Sequence, residues 1–247
     1  MTLHDTVWIL VCSLTLAGMC LAEEPPVPRA LPVEPPTPRA LPVETPTPLA
    51  LNIPEPYTPM DFSQLLGMDG FSGTALSNHF KLYHGYVNNV NTLSSALREL
   101  LAGRQETSPQ YAELKRRLGW EFNGMRLHEY YFENLGGTGV VPTNSALYAQ
   151  ITADFGNLES WRRDFIGTGK MRGIGWVIMY YDLLGKRLVN MWINEHDSCH
   201  IAGGVPVLVM DVFEHAYMPD YELDRASYIE AFMRNINWDI ATHRFPQ

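Results

Sequence analysis

Cysteine, basic side chains and long apolar runs are all scarce in this chain, and each shortage closes off a class of protein. Three cysteines occur among 247 residues, and two of them, Cys12 and Cys20, sit within the first 20 positions. A disulfide-stapled scaffold is therefore excluded. Lys and Arg number 18 against 27 Asp and Glu, for a net charge of −9. Sustained phosphate binding needs a basic face, and no basic run exceeds Lys115-Arg116-Arg117, which reads as a solvated helix face. Nucleic acid is not an expected partner. The apolar run Val7 to Leu16 is half the length of about 20 residues that a bilayer-spanning helix needs.

That run does have the length of the apolar part of an export signal, with cleavage expected after Ala22. Lipid attachment at Cys20, in Leu16-Ala-Gly-Met-Cys20, is the alternative, and only it would tether the protein to a membrane. The expectation is an exported protein, periplasmic or extracellular. Cleavage would leave Cys199 as the sole cysteine, with no intramolecular disulfide. Cys199 then reads as a small buried hydrophobe, with a lone thiol as the alternative.

Residues 23–59 carry a ten-residue repeat, Val27-Pro-Arg-Ala-Leu-Pro-Val-Glu-Pro-Pro36 followed by Thr37-Pro-Arg-Ala-Leu-Pro-Val-Glu-Thr-Pro46 and a looser third copy. Proline at this density removes backbone donors and fixes φ, so the segment reads as an extended tether without a core. A docking strip for a proline-binding partner is the alternative. Behind it, 46% hydrophobic and 11% aromatic content is ample for one enzyme-sized core. The expected organisation is a signal peptide at 1–22, the tether at 23–59, a helical hairpin at 60–140 and an α/β unit at 141–247.

Helical signals dominate to about residue 170. Leu76, Tyr83, Tyr86, Val87, Val90, Leu93, Leu97 and Leu100 recur at three- and four-residue steps, and Gly103 can close the helix they predict. Ser108-Pro109 starts another helix, and a segment from about Asn123 to Leu135 ends at Gly136-Gly137. Shorter helices are expected at about 144–154 and 158–167. Trp176 to Tyr181 and Arg187 to Ile193 read as a hairpin around Asp182-Leu-Leu-Gly185, with Val207 to Met210 as a third strand. A final helix is expected from about Asp224 to Asn235. The class is α+β: an N-terminal α-helical hairpin followed by an α/β unit with a three-stranded antiparallel sheet.

His79, His128, Asp211 and His215 carry the chemistry, because three imidazoles and one carboxylate on separate elements can complete the donor set of one transition metal. Imidazole suits divalent iron, zinc and copper whereas carboxylate suits harder ions, so the mixture favours iron or manganese. The stretch Leu208-Val-Met-Asp211-Val-Phe-Glu-His215-Ala-Tyr217, followed by Tyr221, Arg225, Tyr228 and Asn235-Ile-Asn237-Trp238, resembles the carboxy-terminal signature of the iron/manganese superoxide dismutases. Three upstream pieces agree in order and spacing: Ser77-Asn-His79 through Asn89, Leu127-His128 through Leu135, and Gly175-Trp176. The resemblance covers roughly residues 57 to 247 and rests on separated motifs.

It implies that the four donors hold one iron, preferred, or manganese per subunit, and that the ion's redox cycling converts superoxide to oxygen and hydrogen peroxide. Tyr86 and His196 would position metal-bound solvent and relay protons, and Trp176 would wall the pocket. Glu214 and His215 would join two subunits, the glutamate binding the partner's ligand histidine and fixing its tautomer. Arg225 would lend positive potential to an acidic chain, or else close an ordinary ion pair.

Several positions depart from the family pattern. His79 and Tyr86 are seven residues apart rather than eight, which on a 3.6-residue helix still leaves both on one face, with His84 off it. Gly124 stands where iron members commonly place glutamine, four before His128, and His196 occupies the alternative glutamine site unless it is a plain loop histidine. Met218 replaces a tyrosine of the pocket entrance, and Tyr83 lies near where its histidine partner would be. A redox-silent adhesion module on the same fold would require a damaged donor set, and a hydrolase would require a redox-inert ion with a general base beside it.

Overall fold

The first helix shows how local sequence sets the architecture. Gly73–Ala102 forms α1 in the computed structural model, which describes residues 56–246. The Ser72 hydroxyl accepts the Ala75 N–H at its start, and Gly103 closes it. The buried positions Leu76, His79, Tyr83, Tyr86, Val87, Val90 and Leu97 follow the three- and four-residue steps of one face. A loop of Arg104 to Ser108 reverses the chain into α2, Pro109–Glu133, whose Ser108 cap accepts the Tyr111 N–H while Pro109 occupies the first turn. These two helices form the expected hairpin.

The chain then runs through α3 (Ala146–Phe155) and α4 (Leu158–Gly169) into β1 (Gly175–Asp182), β2 (Arg187–Asn194) and β3 (Gly204–Asp211). The sheet order is β2-β1-β3, antiparallel throughout. Its central strand is buried from Gly175 to Tyr181, which explains the unbroken apolar run there. Pairing places Trp176 opposite Asp211 on one side and Ile193 on the other. Three further helices follow: α5 (Glu214–Tyr221), α6 (Arg225–Arg234) and α7 (Trp238–Arg244).

Three expectations need correction. The helix from Ser108-Pro109 and the segment near Asn123 are one continuous helix, α2. Gly119 and Gly124 interrupt its sequence pattern, each costing a helix about 1 kcal/mol relative to alanine, and packing against α1 overrides that preference. The helix at 225–234 is not the last, since α7 follows it, and α5 was not anticipated because Pro219 lies inside it. Cys199 is exposed rather than buried.

The core joins the two halves. Tyr131 and Phe132 of α2, Trp176 of β1 and Phe232 of α6 are all essentially inaccessible to solvent, and burying a large apolar side chain contributes about 1.5–3 kcal/mol. Aromatic stacking runs from Tyr131 to Phe232 to Phe165. The α2 and β3 elements are thereby held face to face, and His128 meets Asp211 across that seam. No helix among the described residues is long and apolar enough to cross a membrane. The signal segment and all of the tether before residue 56 lie outside the described residues.

Candidate metal centre

His79 on α1, His128 on α2, Asp211 at the end of β3 and His215 in the first turn of α5 converge, with one donor atom from each within 4.8 Å of all the others. From Asp211 Oδ2 the Nε2 atoms of His79, His215 and His128 lie at 3.2, 3.1 and 3.7 Å. Donors about 2.0–2.2 Å from a common first-row ion stand about 3–4 Å apart at angles between 90° and 120°, so the spacing suits one ion. All four anticipated ligands are brought together, and the damaged donor set that a redox-silent module requires is absent.

Each donor is presented by a specific contact. His128 donates Nδ1–H to the carbonyl of Gly124 one turn earlier, which leaves its Nε2 lone pair facing the other donors. That Nε2 is buried without a hydrogen-bond partner, a situation that is costly unless something electrophilic occupies the space beside it. Asp211 Oδ1 accepts the Phe213 N–H at 2.7 Å, freeing Oδ2 for the histidines. Its own carbonyl accepts the Tyr228 hydroxyl at 2.6 Å. Burial alone would raise the Asp211 pKa, but the charge and hydrogen bond of His215 and the bond from His79 reverse this and hold it well below the usual range. Burial depresses both His79 and His128, so both are neutral and able to ligate. An orphaned imidazole nitrogen beside a fully ionised carboxylate fits a resident cation.

Tyr86, Trp176 and His196 gather around the same cavity. The Tyr86 ring stacks on His128 with centroids 5.1 Å apart, so the seven-residue spacing does place Tyr86 in the pocket. Position 124 must be glycine for this, because a Cβ there would lie 2.5 Å from the Tyr86 ring. The Trp176 indole packs edge-on against His128 at 5.0 Å and donates Nε1–H to His196 Nδ1 at 3.0 Å. An indole only donates, so Nδ1 carries no proton and the imidazole proton resides on Nε2. That Nε2–H donates to the Tyr86 hydroxyl oxygen at 2.8 Å. Both ring nitrogens of His196 therefore have protein partners, and it is the Tyr86 O–H that is free to donate into the cavity. Burial pushes His196 down to about 4 and raises Tyr86, so both are neutral across the physiological range.

Other residues lie elsewhere or were missed. His84 is exposed on the far side of α1. Arg225 donates to the carbonyls of Met171 and Gly173 at 2.7 and 2.8 Å and lies over the Tyr217 ring. It makes no ion pair among the described residues. Trp120 packs edge-on against His196 at 4.5 Å, with the Arg117 guanidinium over its ring at 4.1 Å. The four-residue stripe Trp120, Gly124, His128 was the available signal for it. Phe213 stacks on both His196 and His215. Tyr83 donates to Glu129 at 2.9 Å, and burial pushes its hydroxyl up to about 12.

A helical hairpin and an α/β unit that share three imidazoles and one carboxylate define a mononuclear metalloprotein. Residues 142–244 match the family described as iron/manganese superoxide dismutases, C-terminal domain. A superoxide dismutase [Fe] of Cupriavidus metallidurans is 38% identical over 183 residues, 72% of this chain and 90% of that protein. A superoxide dismutase [Fe] of Aquifex pyrophilus is 33% identical over 76% of this chain and 90% of its own length. Superoxide dismutase [Mn] 1 of Halobacterium salinarum is 33% identical over 78% of this chain and 94% of its own length. The chain belongs to the iron/manganese superoxide dismutase family.

Proposed function

We propose that the chain dismutates superoxide with one iron, in preference to manganese, held by His79, His128, Asp211 and His215. The observation that carries this is the buried, unpartnered Nε2 of His128 aimed at the three other donors. The bound ion supplies one-electron chemistry, so that one superoxide leaves as oxygen and a second, after gaining an electron and two protons, leaves as hydrogen peroxide.

The chain's own residues orient the substrate and manage those protons. Tyr86 is a neutral hydroxyl whose oxygen already accepts from His196, so its proton is available to a reduced oxygen species in the cavity. His196 acts through Tyr86, and Trp176 both walls the cavity and fixes the His196 tautomer. Arg225 supplies positive charge beside Tyr217, two residues from His215, which favours approach of an anion to a chain of net charge −9.

The mixed imidazole and carboxylate donor set suits iron or manganese alike, the relatives include proteins named for either metal, and His196 in place of glutamine bears on which of the two is active through Tyr86. Separate reconstitution with iron and manganese, each followed by superoxide consumption per bound ion, tests it. Higher activity with iron is expected, and higher activity with manganese would reverse the preference.

A homodimer is the expected assembly. Glu214 is exposed and makes no side-chain hydrogen bond or ion pair among the described residues, and His215 Nδ1 likewise has no such partner. A Glu214 carboxylate from a second copy would complete that imidazole. Met171, Ile174 and Met218 add exposed apolar surface. Export through residues 1–22, with the proline-rich tether as a spacer, completes the proposal. The mass of the mature chain from its native host tests cleavage after Ala22.

A further inference from the structure

Beyond the groups that surround the donors, a second histidine on the same loop is built into the fold. Between β2 and β3 the chain reverses tightly, with Asn194 and Ser198 exchanging backbone hydrogen bonds of 3.1 and 3.2 Å. Glu195 and Cys199 adopt φ of +50° and +76°, a left-handed conformation that non-glycine residues seldom enter and that concentrates where structure is over-determined. Each immediately precedes a histidine. After Glu195 the chain sends His196 into the cavity wall, and after Cys199 it brings His200 back against His196.

His200 makes two directional bonds. Its Nε2 lies 2.9 Å from the His196 carbonyl oxygen and its Nδ1 lies 2.6 Å from the Tyr180 hydroxyl. A carbonyl only accepts, so the proton is on Nε2 and Nδ1 accepts from Tyr180. Burial raises the Tyr180 pKa and keeps it a protonated donor. The Asn123 amide nitrogen, 3.5 Å from the same Nε2, adds no bond because that nitrogen already bears the proton. Tyr180 belongs to the buried central strand, so this relay ties the His196 backbone to the middle of the sheet.

We propose that His200 is a positioning residue for dismutation: it holds the His196 backbone at the height where the His196 ring meets both Trp176 and Tyr86. The inference rests on the reading in which His196 acts through Tyr86, and the experiment separates the two. His200→Ala, Tyr180→Phe, His200→Gln, His196→Ala and the double variant His196→Ala/His200→Ala are prepared as metal-loaded protein with measured metal content. Superoxide consumption per bound ion is read alongside amide hydrogen exchange of residues 194–200.

His200→Ala and Tyr180→Phe should keep their metal, exchange faster at 194–200, and lose about threefold to tenfold in activity, less than the 10–100-fold typical of partners in direct contact with ligands. His200→Gln keeps an N–H that reaches the carbonyl and should restore most of the activity. In the His196→Ala background, removing His200 should produce no further loss. Unchanged activity in His200→Ala, or an equal loss in both backgrounds, overturns the proposal. Unchanged activity in His196→Ala would instead overturn the role given to His196, while exchange at 194–200 still decides whether His200 holds the loop. If His200→Ala does not fold, Tyr180→Phe and His200→Gln carry the same comparison.

Discussion

His196 is the residue where packing and chemistry meet most closely. It has no solvent contact, it is enclosed by Trp120, Phe213 and Tyr86, and its pKa is pushed down to about 4 by burial. The unfolded chain binds a proton at an ordinary imidazole near pH 6.5, so between about pH 6.5 and 4 the unfolded state holds more protons than the folded one. Stability from this group is complete above that window and lost as pH falls through it. A depression of this size corresponds to about 3 kcal/mol, so the unfolding free energy of the parent should fall by about that much more between pH 7 and 4 than that of His196→Gln. Denaturant unfolding of both proteins at several pH values measures this, and parallel profiles would contradict it. The sequence pointed to His196 by its position in the loop, yet not to its hydrogen bonds. Which nitrogen carries the proton follows from the Trp176 indole N–H donating to Nδ1, a contact between a strand and a distant loop position that no spacing encodes.

Elements with strong periodicity were legible, and elements held by tertiary contacts were not. The apolar steps and the Gly103 stop define α1 within a few residues, and two strand segments either side of Asp182 to Gly185 define the hairpin. By contrast α5 contains Pro219 and has no amphipathic stripe, and it forms where Phe213 and His215 pack beside the donors. Residues 57–62, which span the expected end of the tether at 59 and the start of the hairpin unit, grip the hairpin. The Asn91 side chain pairs with both the N–H and the carbonyl of Tyr57 at 2.9 Å, Met60 N–H donates to Tyr83, and Phe62 is buried against Phe132. Removing residues 23–55 should therefore leave the melting temperature and activity nearly unchanged. Extending the deletion through residue 62 should lose about 3 kcal/mol from Phe62 and the bonds, or roughly 6–12 °C in a domain of this size. Thermal unfolding of the two truncations decides it, and equal melting temperatures would show that the strap contributes nothing.

At the scale of the whole molecule, two halves of different architecture close on one donor set, and in the proposed homodimer two copies close on each other. Glu214 makes the second part testable: light scattering should give a dimer for the parent and a shift towards monomer for Glu214→Ala, whereas a dimer in both proteins places the interface elsewhere. The central claim is the first part. The most direct measurement is a titration of iron into metal-free protein, with superoxide consumption followed at each addition and His128→Ala run alongside. Four protein donors leave no spare ligand when one is removed. The parent's activity should rise linearly and break at about one ion per chain, and His128→Ala should remain folded by circular dichroism yet bind no stoichiometric ion and stay inactive. Metal-dependent activity in His128→Ala, or a metal-loaded parent that leaves superoxide untouched, would contradict the account.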